Sequence, residues 1–393
     1  MHWASLTLAT SIIGLLLRER CRGDALSASA SDYAKGCYSD IVPLYIARGL
    51  SDGIVPYSEP HGGRYFEYPA LTGAFARLVQ VMVQGIENPT EREVMYFRVT
   101  VLALVLCAVG TVYLLARMMP DQPWVPATVA LSPLLLFELA INWDLLAVLS
   151  AVLAMYAWQR ERVIQAGVWA GIGIAFKLWP LFVLAALMID ALRRGWVDRT
   201  IRVGAAGTAT WILVNAPTLL AYPEGWAEFY RFSAARENDW GSLWTGLMYI
   251  FDWRAPTQLQ NLLGIGGMLV GTVVVARYAK SRNASMPLVA LSLLTVFLTI
   301  GKVYSPQYSL WLLPFVALCI RDLRVHVLWQ GVQFVYFAAV MGALLNAATN
   351  GSQGLGSVPY GWSVLLLHAS NLTVLAWAWR EHSSSVQVRT VQQ

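Results

Sequence analysis

Three kinds of residue in this 393-residue chain are placed where they can do chemistry. They are acids in polar loops, lysines inside apolar sequence, and arginines interleaved with tryptophan. The first group lies in Cys37-Tyr-Ser-Asp40-Ile-Val-Pro-Leu-Tyr45-Ile-Ala-Arg48-Gly-Leu, which continues to Pro56-Tyr57 and Tyr65-Phe-Glu67-Tyr68-Pro69. Asp40, Leu44 and Ala47/Arg48 share one helical face. Gly49 and Gly53 end that helix, and Pro56-Tyr57 reads as a turn. A carboxylate such as Asp40, with Glu67 as the fallback, can take a proton from an attacking hydroxyl as a general base. The bland alternative is that each acid caps or electrostatically supports a helix start.

The second group is Trp226-Ala-Glu228-Phe-Tyr230-Arg231, followed by Arg236-Glu-Asn-Asp239-Trp240-Gly-Ser242-Leu-Trp244. Guanidinium forks bind phosphate, and tryptophan favours the headgroup level of a bilayer. A solvated loop beside an interfacial aromatic belt would give the same composition. The third group interrupts apolar runs: Phe176-Lys177-Leu-Trp179-Pro180 and Gly301-Lys302-Val-Tyr304-Ser-Pro306-Gln307-Tyr308. An ionisable residue at such a place is a functional candidate unless it snorkels to the interface. The two lysines share a Pro/aromatic context, which favours a common anionic ligand. Asn142-Trp143-Asp144 joins them at the same level, with helix capping as its bland role.

The elements that must hold these groups are membrane helices. Hydrophobic residues make up 57% of the chain and charged residues 13%, against about 25% charged in soluble domains. Apolar runs recur throughout, and a bilayer core of roughly 30 Å takes about 20 residues of helix. The spans expected are 3–17, 97–116, 124–140, 145–159, 163–176, 179–192, 201–220, 258–277, 286–301, 307–320, 326–345 and 362–380. The fold class expected is all-α, polytopic, with about 12 spans. The run 3–17 leads into Arg18-Glu19-Arg20 without a cleavage-type ending and reads as a span.

Charge sets the orientation. Arg117, Arg160/Arg162, Arg193/Arg194/Arg199/Arg202, Arg277/Lys280/Arg282, Arg321/Arg324 and Arg380 fall at alternate boundaries, which marks the cytoplasmic side. Residues 18–96 and 221–257 are then outer loops, both termini are inside, and 381–393 is a cytoplasmic tail expected to be disordered. The segment 68–86 is expected to be a re-entrant or interfacial helix of the first outer loop. The whole chain, 1–393, reads as a single integral membrane domain.

The net charge of +5 is dispersed in short loops, which argues against nucleic acid as a partner. Cys107 and Cys319 lie in apolar runs. Cys21 and Cys37 share one polar loop and can pair if it is extracytoplasmic. No cysteine spacing of metal-binding type is present.

Taken together, the Asp40 to Pro69 string resembles the first outer loop of glycosyltransferase family 87. The resemblance extends to Asn142-Trp143-Asp144, Phe176-Lys177-Trp179-Pro180, Arg236…Trp240-Gly-Ser242-Leu-Trp244 and Lys302…Tyr304-Ser-Pro306-Gln307-Tyr308, over residues 37–320. It implies a multi-pass plasma-membrane enzyme of the C superfamily with its active site on the extracytoplasmic side. It implies inverting transfer of mannose or arabinofuranose from a polyprenyl phosphate carrier to a glycolipid or glycan of the cell envelope, without a cofactor or metal. Asp40 is then the general base. Arg48, Glu67, Tyr68, Asn142, Asp144, Lys177, Arg236, Asp239, Trp244, Lys302, Tyr304 and Gln307 are expected to bind substrate. The start Met1-His2-Trp3 leaves little sequence before the first span, a departure consistent with an incomplete N-terminus. A lipid or solute transporter is the competing class. Such a protein should show internal repeats and midplane charges, whereas here the unusual residues gather at one end.

Overall fold

The computed structural model describes residues 2–18, 21 and 29–391, with the backbone alone for 385–391. The remaining residues of the first long loop, 19, 20 and 22–28, lie outside the described residues, as do Met1, Gln392 and Gln393. Regular structure among the described residues is helical, and an isolated bridge between His61 and Arg64 closes one turn.

The elements run α1 (His2–Arg18), α2 (Ala30–Ala34), α3 (Ile41–Ala47), α4 (Ala70–Val83), α5 (Pro89–Met118), α6 (Trp124–Ala130), α7 (Pro133–Glu138), α8 (Asp144–Gln159) and α9 (Val163–Phe176). They continue with α10 (Leu181–Arg193), α11 (Val197–Ala221), α12 (Pro223–Ala235), α13 (Leu243–Phe251), α14 (Thr257–Arg282), α15 (Met286–Ile300), α16 (Ser309–Cys319), α17 (Leu323–Ala348) and α18 (Ser357–Val391).

Local chemistry sets many of the boundaries. Pro89, Pro133 and Pro223 open α5, α7 and α12, where the missing N–H costs nothing. Side chains of Asn88, Ser132, Ser242 and Asp322 accept from backbone N–H groups of the helices they precede. The expected span 124–140 is divided into α6 and α7. Pro133 cannot donate to α6 and holds Ser132 extended, at ψ 128°. The tail expected to be disordered instead continues the backbone helix of α18 to Val391. Extending an existing helix adds one hydrogen bond per residue without a new nucleation step.

Among the described residues five helices are long and apolar enough to cross a bilayer: α5, α11, α14, α17 and the Ser357–Ser384 part of α18. By contrast α4, α8, α9 and α15 have 14 to 16 residues, about 21–24 Å of helix. Buried apolar side chains from α3 to α18 form one continuous core, with the partly buried Trp3 and Leu15 of α1 packed against it. Within it α9 and α11 approach closely. A Cβ on Gly167 or Gly171 would come within 2.5 Å of the carbonyl oxygens of Val203 or Gly207. Small residues are what permit such contact between apolar helices, where dispersion takes over from hydrophobic driving force.

The bundle has two chemically distinct ends. At one end basic clusters meet each other's partners: Arg193 bonds Asp190 and Asn283, Arg199 reaches Glu161 at 3.3 Å, and Arg321 N–H donates to Glu381 at 2.9 Å. At the other end the two long loops touch. The Tyr65 hydroxyl donates to Glu224 at 3.1 Å, and Arg64 lies 3.9 Å from Glu228 and over the Phe232 ring. Every candidate site residue belongs to this second end.

Cys21 and Cys37 are joined as a disulfide that ties the region after α1 to the approach to α3, with Cα atoms 6.2 Å apart. It closes a loop of sequence separation 16, and a loop of that size constrains the unfolded chain by about 3 kcal/mol. Cys37→Ser is therefore expected to lower the thermal midpoint in detergent. Reductant should lower the wild-type midpoint and leave that of the variant unmoved.

Candidate active site

Asp40 stands at the N-cap of α3, yet its side chain makes no capping bond. Its carboxylate accepts instead from the Tyr38 hydroxyl at 2.5 Å and from Asn142 Nδ2 at 2.8 Å. Its backbone N–H donates to Ile141 O at 2.7 Å, which locks α3 to the turn between α7 and α8. Asn142 does not cap α8 either, since no side chain caps that helix. Its amide nitrogen is shared between Asp40 and the Tyr68 hydroxyl at 2.6 Å, and its Oδ1 accepts from Lys177 Nζ at 3.3 Å. The bland capping roles of both residues are thus not taken up.

Lys177, at the C-terminus of α9, completes this network. Its ammonium lies 3.3 Å from Asp144 Oδ1 and 4.8 Å from the centre of the Tyr68 ring. Asp144 is 1% exposed. Trp311 Nε1 also donates to its Oδ1 at 2.8 Å, and its Oδ2 has no partner. Below lies a stack of rings, Tyr308 on Trp311 at 3.7 Å and Trp311 on Trp179 at 5.5 Å.

The second cluster is built from the 236–244 and 301–304 segments. Arg236 bonds the Asp239 carboxylate. Lys302 Nζ donates to Arg236 O at 2.7 Å and Ala234 O at 3.2 Å, and Lys302 O accepts from Asp239 N–H at 2.7 Å. Gly241 allows this closeness, because a Cβ there would sit 2.0 Å from Tyr304 O. Trp244 Nε1 donates to Ile300 O at 3.2 Å. The Tyr308 hydroxyl lies within electrostatic range of both clusters, of Asp40 and Asp144 in the first and of Arg236 and Asp239 in the second.

The sequence profile of glycosyltransferase family 87 matches residues 91–306, more than half of the chain. The chain belongs to this family. It is a membrane glycosyltransferase, and the transporter alternative falls away. A search of curated proteins finds no match. The matched region of this family 87 chain holds Asn142, Asp144, Lys177, Arg236, Asp239, Trp244, Lys302 and Tyr304. Asp40, Arg48, Glu67, Tyr68 and Gln307 lie outside it.

Hydrogen-bond partners separate the two acids of the first loop. Burial pushes the Asp40 carboxyl above the ordinary carboxylate value, and Asp144 adds to this. Bonds from Tyr38 and Asn142 and the Lys177 charge act the other way. Burial also raises the Tyr38 and Tyr68 hydroxyls well above the usual phenol range, so both stay protonated, Tyr38 donating to Asp40 and Tyr68 accepting from Asn142. Burial lowers the Lys302 ammonium, helped by the Arg236 charge.

Glu67 is different. Arg48 takes both of its oxygens in a two-point fork, Nε to Oε2 at 2.5 Å and Nη2 to Oε1 at 2.6 Å. That pairing gives Glu67 an arginine partner that the reserve-base expectation did not include. Tyr57 fixes the neighbouring turn, adopting φ 76° and donating to Tyr68 O and Pro69 O. In Glu67→Gln a charge-assisted pair is lost, for about 1.5–3 kcal/mol of stability. The acid limb of the pH–rate profile should stay where it is in the wild type. A shifted limb in that variant would return Glu67 to the reacting centre.

One expected binding residue, Tyr304, turns its hydroxyl away from both clusters. The Tyr304 hydroxyl donates to Gln333 of α17 at 3.0 Å, and Gln307 is buried with its Oε1 unpartnered. Sequence reading did not single out Tyr38, Tyr308 or Trp311. Tyr38 had one available signal, a hydroxyl two residues before an acid in a non-helical stretch, where both side chains leave on the same side.

Proposed function

We propose that this family 87 enzyme moves a sugar, mannose, from a polyprenyl phosphate carrier to a cell-envelope glycolipid or glycan, with Asp40 as general base. The observation that carries the reading is the Asp40 carboxylate, half-buried, held by Tyr38 and Asn142, and backed by Lys177. The acceptor hydroxyl oxygen attacks C1 of the sugar while its proton passes to Asp40. The bond from C1 to the phosphate oxygen breaks, and the polyprenyl phosphate leaves as an anion. Attack opposite the leaving group inverts the configuration at C1. Arg236 and Lys302 suit the phosphate, because cations placed where charge develops stabilise the transition state. Lys302 keeps one N–H beyond the two bonds it makes to carbonyls. The exposed rings of the second loop suit the sugar and the prenyl chain. A polyprenyl-phospho-arabinofuranose donor would use the same phosphate set. Purified protein offered either donor with membrane glycolipids tests the choice, and transfer from neither overturns the proposal.

The same reading places the site on the extracytoplasmic face of a single plasma-membrane domain with twelve crossings and both termini inside. It is supported by the gathering of basic clusters at the opposite end and by the disulfide, a bond of oxidising compartments. The shorter helices cross where neighbours or a thinned bilayer cover the difference, and α4 lies within the outer surface without crossing. Single cysteines at exposed Ser352 and Asp121 should react with an impermeant maleimide from opposite sides, Ser352→Cys from outside. Labelling of both from one side would overturn this topology.

A further inference from the structure

Arg18 closes α1 with its side chain turned into the protein, and the residue is 8% exposed. An arginine at the end of an apolar helix ordinarily runs outward to water. Here the guanidinium donates to three carbonyls: Phe137 O at 2.6 Å, Tyr38 O at 3.0 Å and Ala140 O at 3.5 Å. Phe137 and Ala140 bracket the end of α7, where helix carbonyls lack partners and the dipole is negative. Glu138 lies within electrostatic range, its carboxyl bonded to Ser309.

These carbonyls belong to the two segments that supply the hydrogen bonds on Asp40. Tyr38 supplies one donor, and the stretch 137–142 ends in Asn142, which supplies the other. The segments are about a hundred residues apart in sequence. Ser39 Oγ adds a parallel tie to Ala140 O at 2.8 Å, and Asp40 N–H a third to Ile141 O at 2.7 Å. Tyr38, Asn142, Tyr68, Lys177 and Asp144 face or surround Asp40, with the Tyr33 and Tyr308 hydroxyls also within electrostatic range. Arg18 touches none of their side chains, yet holds the backbone that carries two of them.

We propose that Arg18 is a positioning residue for sugar transfer, setting the register in which Tyr38 and Asn142 hold the Asp40 carboxylate. The inference rests on Asp40 as the base. A lysine can replace the fork only in part, since a compact ammonium reaches fewer of the separate carbonyls than a planar guanidinium. Misplacing a reacting group by about 1 Å costs on the order of a hundredfold in rate.

The test uses the full chain in nanodiscs, with single-turnover transfer from polyprenyl-phospho-mannose measured across pH beside donor binding. Arg18→Gln should lower the rate at saturating donor by roughly 10- to 100-fold, with donor affinity unchanged. Its acid limb should move to higher pH, because the bonds that favour the ionised carboxylate lose alignment. Arg18→Lys should recover part of the rate, and Ser39→Ala should move the limb the same way by less. An unmoved limb in Arg18→Gln, even with a lower yield of folded protein, would overturn the inference and leave Arg18 structural. If Arg18 variants do not fold, Ser39→Ala decides by the same limb, and an unmoved one overturns the proposal. Full transfer by Asp40→Asn would overturn the base reading and this inference together. Loss in Asp40→Asn with unmoved limbs elsewhere would overturn this inference alone.

Discussion

Lys177→Met is expected to destabilise the protein more than any other single substitution at the site. Lys177 and Asp144 face each other at 3.3 Å, with side chains 12% and 1% exposed. Removing the ammonium strands a buried carboxylate whose second oxygen already lacks a donor. Breaking such a pair from one side costs about 3–5 kcal/mol, although the intact pair adds little over a neutral replacement. Lys177→Met/Asp144→Asn should therefore recover most of the loss, since an amide oxygen at 144 can still accept from Trp311. Unfolding in detergent, run as a double-mutant cycle, measures this. Additive losses in the double variant would mean that the two groups do not depend on each other. Recovered stability should not restore transfer, because Lys177 also holds the Asn142 oxygen.

Asp40→Asn should do the reverse, leaving stability intact and removing activity. A general base contributes about 10²- to 10⁴-fold, so transfer should fall by at least that range. The folded pKa of Asp40 is raised by burial. Its contribution to stability is full below the unfolded value and is lost as pH rises through the folded value. At neutral pH the buried charge is a net cost that asparagine does not carry. The amide oxygen can accept from Asn142, and the amide N–H can turn to the Tyr38 oxygen. The thermal midpoint of Asp40→Asn should match or exceed the wild type at neutral pH, the advantage shrinking toward acid. A lower midpoint at neutral pH would make Asp40 a structural acid.

Much of this site was legible because polar residues are expensive in apolar sequence. Lys177, Asn142 and Asp144 stood out on that ground, and the structure joins them in one network. Gly49 and Gly53, with φ of 68° and 91°, end α3 where the spacing predicted. Pairing was less legible. No local pattern says that Arg48 reaches 19 residues on to occupy Glu67, or that Asn142 reaches back to Asp40 rather than capping α8. Those partners are chosen by tertiary packing, which periodicity does not encode. Arg18 escaped notice for a related reason. In the sequence it reads only as part of the Arg18-Glu19-Arg20 flank of the first apolar run, and only the position of the α7 carbonyls gives it an inward destination. Helix length was also poorly legible. Hydropathy registers an apolar stretch but not the proline at 133 that divides it.

The central claim is that an ionised Asp40 accepts the proton in the transfer step. The pH dependence of single-turnover transfer by the unmodified protein at saturating donor tests it most directly. A base must be ionised, so activity should be lost as pH falls through its pKa. The account predicts one acid limb, centred above the ordinary aspartate value of about 3.9 and absent from the residual rate of Asp40→Asn. A rate independent of pH across that region, or the same limb in Asp40→Asn, would contradict it.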